Sequence, residues 1–397
     1  MPDHSALYCL TGGEDASQFI TRDWGRQMRH WPGSLIDNAD FQFGLDSFED
    51  TIAGLNRAHE GWLHFADQSL KPVPADFVGP EGLLDMRRIA AAFSSGQTLY
   101  LTKADRAADS LGNMCWLLFQ DLSRHGVALR DEVNAHMFLT PRNSQGFAAH
   151  RDAHASFILQ CEGTKHWKVY TPRDANLQAH RRGTVGPEEL AEYDVREVTL
   201  HPNDVLYIPE WWPHEAAASS EHSLHVTLRA FPLRWCDLIG ELADRLPSLA
   251  APLPTGTNPD EKLAAGMAEM LEQVGRSGDL VRLLPETWTA TAVETPVARP
   301  TGTLRKSLNA ELLGLETPLI RIQGVDCELH ESDTAAELNF AGATVRGPRH
   351  FAPIFGFIAE TTRFRPCDLP KIDANYDRLE VARRLVSDGL FYMEPDS

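Results

Sequence analysis

Two separated segments of this chain carry the residues that most constrain its fold. His150 and Asp152 stand two positions apart, and His214 follows 62 positions after Asp152. Residues i and i+2 of a β-strand point to the same face, so His150 and Asp152 can face one ion together. His214 comes after the apolar run 204–208 and a turn at 209–213, which can return its side chain to the same place. The spacing therefore predicts two neighbouring strands of a small β-barrel that share one metal ion.

Short β-rich runs surround these residues. We predict strands at 98–102, 136–140, 156–160, 166–170, 197–200, 204–208 and 224–230, with one helix near 107–124. Short strands at this density, separated by turn residues, favour a sandwich or a barrel. The predicted fold class is therefore a mainly β core with added helices.

The chain divides into four predicted regions. Residues 1–90 form a lead-in with helical stretches at 15–31 and 47–67, and residues 91–232 hold the β-rich catalytic domain. Residues 233–300 contain the amphipathic helical stretches 233–250 and 259–285 and a Thr/Pro-rich linker at 286–301. Such helices can pair with a second copy of the chain, so we predict a homodimer. Residues 301–397 resemble a winged-helix module that closes with a helix at 378–388, capped by Gly389.

Composition excludes several classes of protein. With 43% hydrophobic and 23% charged residues, the chain has the composition of a globular protein, and it has no apolar run long enough to span a membrane. Its first residues lack the pattern of a secretory signal. Six cysteines without a CxxC pair predict reduced thiols and a cytoplasmic location. A net charge of −19 repels phosphate backbones, which makes nucleic-acid binding unlikely, and attracts basic partners.

The three candidate ligands favour iron. One carboxylate and two imidazoles occupy one face of an octahedral Fe(II) ion and leave the other face open for substrates. Zinc could use the same ligands, but no HExxH helix supports a zinc hydrolase. The alternative is that His150, Asp152 and His214 are ordinary polar surface residues.

The segments around these residues resemble the JmjC ribosomal-oxygenase family of cupin-like enzymes. The resemblance covers roughly residues 134–230 and includes Thr140-Pro-Arg-Asn-Ser-Gln-Gly-Phe147, His150-Arg-Asp-Ala-His-Ala-Ser-Phe-Ile-Leu-Gln160, and the run 201–216. It implies a double-stranded β-helix of the cupin/JmjC jelly-roll type. It also implies iron held by His150, Asp152 and His214, with 2-oxoglutarate and O2 as co-substrates.

The far carboxylate of 2-oxoglutarate needs a cation, because a buried carboxylate without a partner is costly. In the family, the lysine at the position of Lys165 fills this role. Arg229 is a second candidate, since arginine binds carboxylates through two parallel hydrogen bonds. The family usually has a small polar residue at position 229 and a tyrosine at position 138, where this chain has Phe138. Arg229 could therefore replace the missing hydroxyl groups or point toward the primary substrate.

Further candidates are assigned to the same site. We expect Thr227 and Phe138 beside the co-substrate. We expect His225, Trp212, Gln145 and Ser144 to contribute to the substrate pocket.

The resemblance implies hydroxylation of a side chain in a protein or peptide, with arginine or histidine of a basic ribosomal protein as the family's precedent. One alternative is tailoring of a ribosomally made peptide or another natural product. A different class is a non-catalytic peptide-binding cupin module. Histone demethylation is less favoured, because nothing in the sequence marks a site for methylated lysine.

Overall fold

The computed structural model describes residues 5–35, 43–55, 62–66, 84–173, 182–245, 313–322, 325, 327–340, 343–371 and 377–393, with isolated positions at 268, 272, 275, 287 and 288. The chain forms two compact units, Met1–Glu294 and Thr295–Ser397. Most of the predicted helix 259–285 and of the linker 286–301 lies outside the described residues.

The helices of the first unit are α1 (Ala6–Leu10), α2 (Ala16–Arg22), α3 (Leu45–Leu55), α4 (Met86–Ser94), α5 (Ala104–Ala107), α6 (Asp109–Arg124), α7 (Pro187–Leu190) and α8 (Trp235–Arg245). Its strands are β1 (Arg29–Trp31), β2 (Leu63–Ala66), β3 (Thr98–Leu101), β4 (Leu129–Thr140), β5 (His150–Arg151), β6 (Ala155–Glu162), β7 (Lys165–Pro172), β8 (Gly183–Thr184), β9 (Tyr193–Leu200), β10 (Val205–Ile208), β11 (His214–Ala218) and β12 (Ser223–Pro232).

These strands form two antiparallel sheets. The larger sheet has the order β1-β10-β6-β12-β4-β3-β2, and the smaller has the order β8-β5-β11-β7-β9. The predicted β-rich core is therefore confirmed, with a topology in which consecutive strands often belong to different sheets.

Strand β6 shows why the core is layered. Its residues Ala155 to Gln160 are buried without interruption, as expected for a strand covered on both faces. Phe157 and Leu159 face the main core, which is built with the N-terminal helices. Ile158 faces the opposite way, into a second cluster that contains Trp167 of the smaller sheet.

The prediction of helices over 15–31 and 47–67 is wrong at both C-terminal ends. Helix α2 ends at Arg22, and 29–31 instead forms β1, which pairs with β10. Helix α3 ends at Leu55, and 63–66 forms β2, which pairs with β3. Both strands lie at an edge of the larger sheet, where pairing with a distant strand overrides local helix preference.

The second unit contains the strands β13 (Leu319–Arg321), β14 (Cys327–Glu331), β15 (Ala335–Phe340), β16 (Ala343–Pro348), β17 (Arg363–Phe364) and β18 (Phe391–Met393) and the helices α9 (Ala352–Glu360) and α10 (Arg378–Ser387). Its two three-stranded sheets have the orders β17-β13-β18 and β14-β15-β16. The closing helix was predicted from the sequence: Asp377 caps its start, and Gly389, with φ of 81°, follows its end.

Candidate metal and co-substrate site

The two sheets bring the three predicted ligands together. His150 of β5 and His214 of β11 are direct partners across the antiparallel pair. Asp152 lies just beyond the end of β5, so the expected continuous strand from His150 into β6 is interrupted by a bend. Asp152 Oδ2 lies 3.6 Å from His150 Nε2 and 3.7 Å from His214 Nε2.

Backbone carbonyl groups set the orientation of both imidazoles. Nδ1 of His150 donates to the carbonyl oxygen of Ala148, and Nδ1 of His214 donates to that of Trp212, each at 2.9 Å. Because a carbonyl only accepts, each Nδ1 carries a proton, and Nε2 is the ring nitrogen that can bind a metal ion. The backbone N–H of Trp211 also donates to the carbonyl oxygen of Asp152 at 2.8 Å, which ties the turn before His214 to the third ligand.

The charge states suit a cation. Burial alone would raise the pKa of Asp152, but the imidazoles of His154, His150 and His214 outweigh burial and hold its pKa well below the usual range. Burial, followed by the proximity of His150, lowers the pKa of His214 to about 4. Asp152 is therefore a carboxylate and His214 a neutral ligand at neutral pH.

Among the described residues, His150, Asp152 and His214 form the one group that could hold a metal ion, with ligand atoms within 4.8 Å of one another. Two imidazole nitrogens, each oriented by a backbone carbonyl, and one carboxylate oxygen fit an Fe(II) ion. His154 adds a contact that the sequence did not predict, because its Nε2 lies 3.5 Å from Asp152 Oδ2.

Lys165 lies at one end of the cavity beside the triad. It is only 4% exposed, and its ammonium donates to Thr140 Oγ1 at 2.9 Å and to His225 Nδ1 at 3.4 Å. No carboxylate of the described residues forms an ion pair with it. Burial lowers the pKa of Lys165 to about 7. A buried cation without an anionic partner fits the far carboxylate of 2-oxoglutarate.

Arg229 lies toward the other end of the same cavity. It and His225 both belong to β12 and are four positions apart, which corresponds to about 13 Å along a strand. Since His225 contacts Lys165, the two cations occupy different parts of the site. One carboxylate cannot contact both cations, so each of them is available to a different anionic group.

The cavity has a volume of about 530 Å³ and is lined by residues from both sheets. Phe138, Thr227 and His225 line it, and the rings of Phe138 and His225 stack at 4.8 Å. Ser144, Gln145 and Trp212 do not belong to its lining. Gln145 hydrogen-bonds to the carbonyl oxygen of Phe147 and to Glu215, and Trp212 packs in the cluster between the sheets, so a role of these residues in binding a substrate stays a prediction.

The cavity is also lined by residues that were not predicted from the sequence: Tyr100, His136, Phe147 and Arg182. Tyr100 and His136 lie on strands that were predicted, and the alternation of faces along those strands could have identified them. Arg182 precedes β8, a strand of only two residues that has no sequence pattern of its own.

Comparison with protein-family models confirms the predicted resemblance to the JmjC family. Residues 118–238 match the model of the JmjC domain. This segment holds His150, Asp152, His214, Lys165 and Arg229, so the similarity to the JmjC domain covers the site described above.

Part of this chain is also similar in sequence to two relatives. The chain is 38% identical over 141 residues to the bifunctional lysine-specific demethylase and histidyl-hydroxylase NO66 of Dictyostelium discoideum, covering 34% of this chain and 26% of that protein. It is 40% identical over 111 residues to Ribosomal oxygenase 1 of Rattus norvegicus, covering 27% of this chain and 18% of that protein. The match thus spans about a quarter or less of these relatives.

Among solved structures, the chain is similar to E. coli ycfD. The TM-score is 0.51 at 16% identity, with 96% of this chain and 98% of that chain covered. At this identity the likeness shows a shared fold alone. Because it covers 96% of this chain, the shared fold extends beyond residues 118–238.

Proposed function

We propose that this protein is an Fe(II)- and 2-oxoglutarate-dependent oxygenase that hydroxylates an amino-acid side chain of a protein or peptide. The observation that carries the proposal is the triad of His150, Asp152 and His214, with both Nε2 atoms and one carboxylate oxygen directed at one point. The buried Lys165 supports the choice of co-substrate, because it supplies the cation that a dicarboxylic acid requires.

An iron ion in this site, with 2-oxoglutarate and O2, would supply the oxidising power to hydroxylate a C–H bond while 2-oxoglutarate becomes succinate and CO2. The residues of the chain provide position and shielding. Lys165 binds the far carboxylate of the co-substrate, and Thr140 and neutral His225 hold the Lys165 ammonium in place. Burial lowers the pKa of His225 well below its usual value, which keeps this imidazole a hydrogen-bond acceptor.

The apolar walls limit access of water to the reacting atoms. Phe138 stacks on His225, Tyr100 stacks on Phe138 at 5.7 Å, and Phe147 packs against His150 at 5.7 Å. A low-dielectric wall strengthens the interaction of Lys165 with a carboxylate.

The relatives' names support a protein substrate, and Ribosomal oxygenase 1 points to a ribosomal protein as a candidate. The net charge of −19 also favours a partner with a basic surface. None of the six cysteines forms a disulfide, in keeping with a cytoplasmic location. No helix in the described part of the chain is long and apolar enough to cross a membrane.

The homodimer also belongs to this proposal. Helix α8 exposes Trp235 (78%) and Ile239 (58%) one turn apart, an apolar surface that a second copy of residues 233–285 could cover. Light scattering should give twice the chain mass for the wild type and less for Trp235→Arg. A wild-type monomer at micromolar concentration would remove this part of the proposal.

The unit Thr295–Ser397 is proposed to be winged-helix-like. Helices α9 and α10 and the strands described for this unit support the assignment. An experimental structure of the unit that lacks a helix-strand-strand wing would contradict it.

The function is tested by measuring succinate formation from 2-oxoglutarate by the iron-loaded protein. The wild type should form succinate, and addition of a protein fraction depleted of small molecules should increase turnover and add about 16 Da to the substrate. Asp152→Ala should abolish both effects, whereas Asp194→Ala, an exposed aspartate on β9, should not. Absence of metal binding and of succinate in the wild type would refute the proposal.

A further inference from the structure

Arg229 is a fixed but incompletely paired cation inside the cavity. Both of its described hydrogen bonds use Nη1, which donates to Asn134 Oδ1 at 3.2 Å and to His136 Nε2 at 2.5 Å. Its Nε is buried and has no hydrogen-bond partner among the described residues. Burial, followed by the proximity of Arg229, lowers the pKa of His136 well below its usual value, so His136 accepts as a neutral imidazole. The guanidinium is thus held in place through Nη1, and its Nε–H remains available to a ligand.

Burial lowers the pKa of Arg229, the carboxylates of Asp152, Asp131 and Asp105 raise it, and no described acidic residue forms an ion pair with it. Among the residues that line the cavity, Asp152 is the one carboxylate, and it is a metal ligand. Arg182, which is exposed, also lines the cavity and lies close enough to Arg229 to lower its pKa, after the larger effect of burial. Neither arginine forms an ion pair with a described acidic residue, whereas Arg151 is paired with Glu189 at 2.5 Å.

In the site loaded with iron and 2-oxoglutarate, the charges balance without Arg229 and Arg182. Fe(II) and Lys165 bring three positive charges, and Asp152 with a doubly ionised 2-oxoglutarate brings three negative charges. The metal and co-substrate region is therefore neutral by itself, and it makes no demand on Arg229 or Arg182. A cation held in a partly buried cavity without a counter-charge is a binding site for an anion.

We propose that the primary substrate presents a carboxylate to Arg229, with Arg182 at the cavity mouth, so that the oxidised residue is acidic rather than basic. This inference rests on the proposed function and specifies its substrate class. An arginine or a protonated histidine in the same place would face two guanidinium groups and no free carboxylate. A partner protein can still be basic elsewhere on its surface, where it meets the negative exterior of the enzyme.

The experiment measures binding rather than turnover. Protein loaded with Mn(II) and saturated with 2-oxoglutarate is titrated calorimetrically with doubly blocked aspartate, glutamate, asparagine and arginine residues. Saturation with 2-oxoglutarate prevents the acidic probes from taking the co-substrate position. Blocked aspartate or glutamate should bind at least about tenfold more tightly than its neutral or cationic counterparts. Free aspartate and glutamate form a second arm, and tighter binding of these would assign the carboxylate to a small acid.

Three variants separate recognition from structure. Arg229→Gln should reduce the preference for the acidic probe over asparagine to less than about twofold, and Arg229→Lys should restore part of it. Arg196→Gln, an exposed arginine on β9, should leave the preference intact. A merely structural role for Arg229 would weaken all probes alike.

Failure of every acidic probe to bind more tightly than its amide counterpart overturns the inference, as does tighter binding of blocked arginine. These outcomes are distinct from failure of the proposed function, which would appear as a wild type that binds neither Mn(II) nor 2-oxoglutarate.

Discussion

Replacing Lys165 with methionine should stabilise the ligand-free protein and weaken co-substrate binding at the same time. The reason is the pKa of Lys165, which burial lowers from its ordinary value of 10.5 to about 7. A difference of about 3.5 in pKa corresponds to a cost of about 5 kcal/mol for keeping this ammonium charged in the fold. Methionine has a similar length but loses the hydrogen bond to Thr140, which is worth about 1 kcal/mol and leaves a hydroxyl unpaired. The net stabilisation expected below pH 7 is about 3 kcal/mol.

The pH dependence gives the sign of the effect. The folded pKa is lower than the unfolded pKa, so between pH 7 and 10.5 the unfolded chain binds more protons, and wild-type stability rises with pH. The full cost is present below pH 7 and disappears above 10.5. Denaturant unfolding should therefore show a large advantage of Lys165→Met at pH 6.5 that shrinks to within about 1 kcal/mol at pH 9.

Calorimetric titration supplies the second half of the prediction. Affinity for 2-oxoglutarate with Mn(II) should fall about a hundredfold in Lys165→Met, because a carboxylate would be buried without its partner. Lys168→Met is the matched control, since Lys168 lies three positions along β7 on the outer face. A variant that is less stable than the wild type, and binds 2-oxoglutarate with unchanged affinity, would refute the reasoning.

Two further predictions concern the pH dependence of co-substrate binding and the turn between β6 and β7. Binding of 2-oxoglutarate to the wild type should weaken by up to about tenfold per pH unit above pH 7, because the free protein must then protonate Lys165; a constant Kd from pH 6 to 9 would contradict this. Gly163→Ala should destabilise the protein by about 3 kcal/mol or more in denaturant unfolding, because Gly163 has a φ of +62° and a Cβ would lie 1.8 Å from the carbonyl oxygen of His222. Gly25→Ala, with a φ of +69° and open space around it, should lose only about 1 kcal/mol, and equal losses for the two variants would show that the contact with His222 is relieved.

The strands and the metal ligands were predictable because their signals are local. Alternation of faces in β4 and β7, and the uninterrupted burial of β6, are visible in short windows of sequence. The predicted strands at 98–102, 156–160 and 204–208 correspond closely to β3, β6 and β10. The two-residue strand β8 was missed, because it exists through pairing with β5. The strand predicted across His150 and Asp152 is shorter than expected and ends at Arg151.

By itself, the sequence predicted the ligand set from residue type and spacing within one or two strands, and its resemblance to a family supplied the candidates for binding the co-substrate. Tertiary structure decided where each of the two candidate cations lies in the cavity. Lys165 meets His225 and Thr140 because β7, β12 and β4 belong to facing sheets, and Arg229 meets His136 because β12 pairs with β4. Those contacts depend on the register between segments far apart in the chain, and a shift of one residue would turn each side chain to the opposite face.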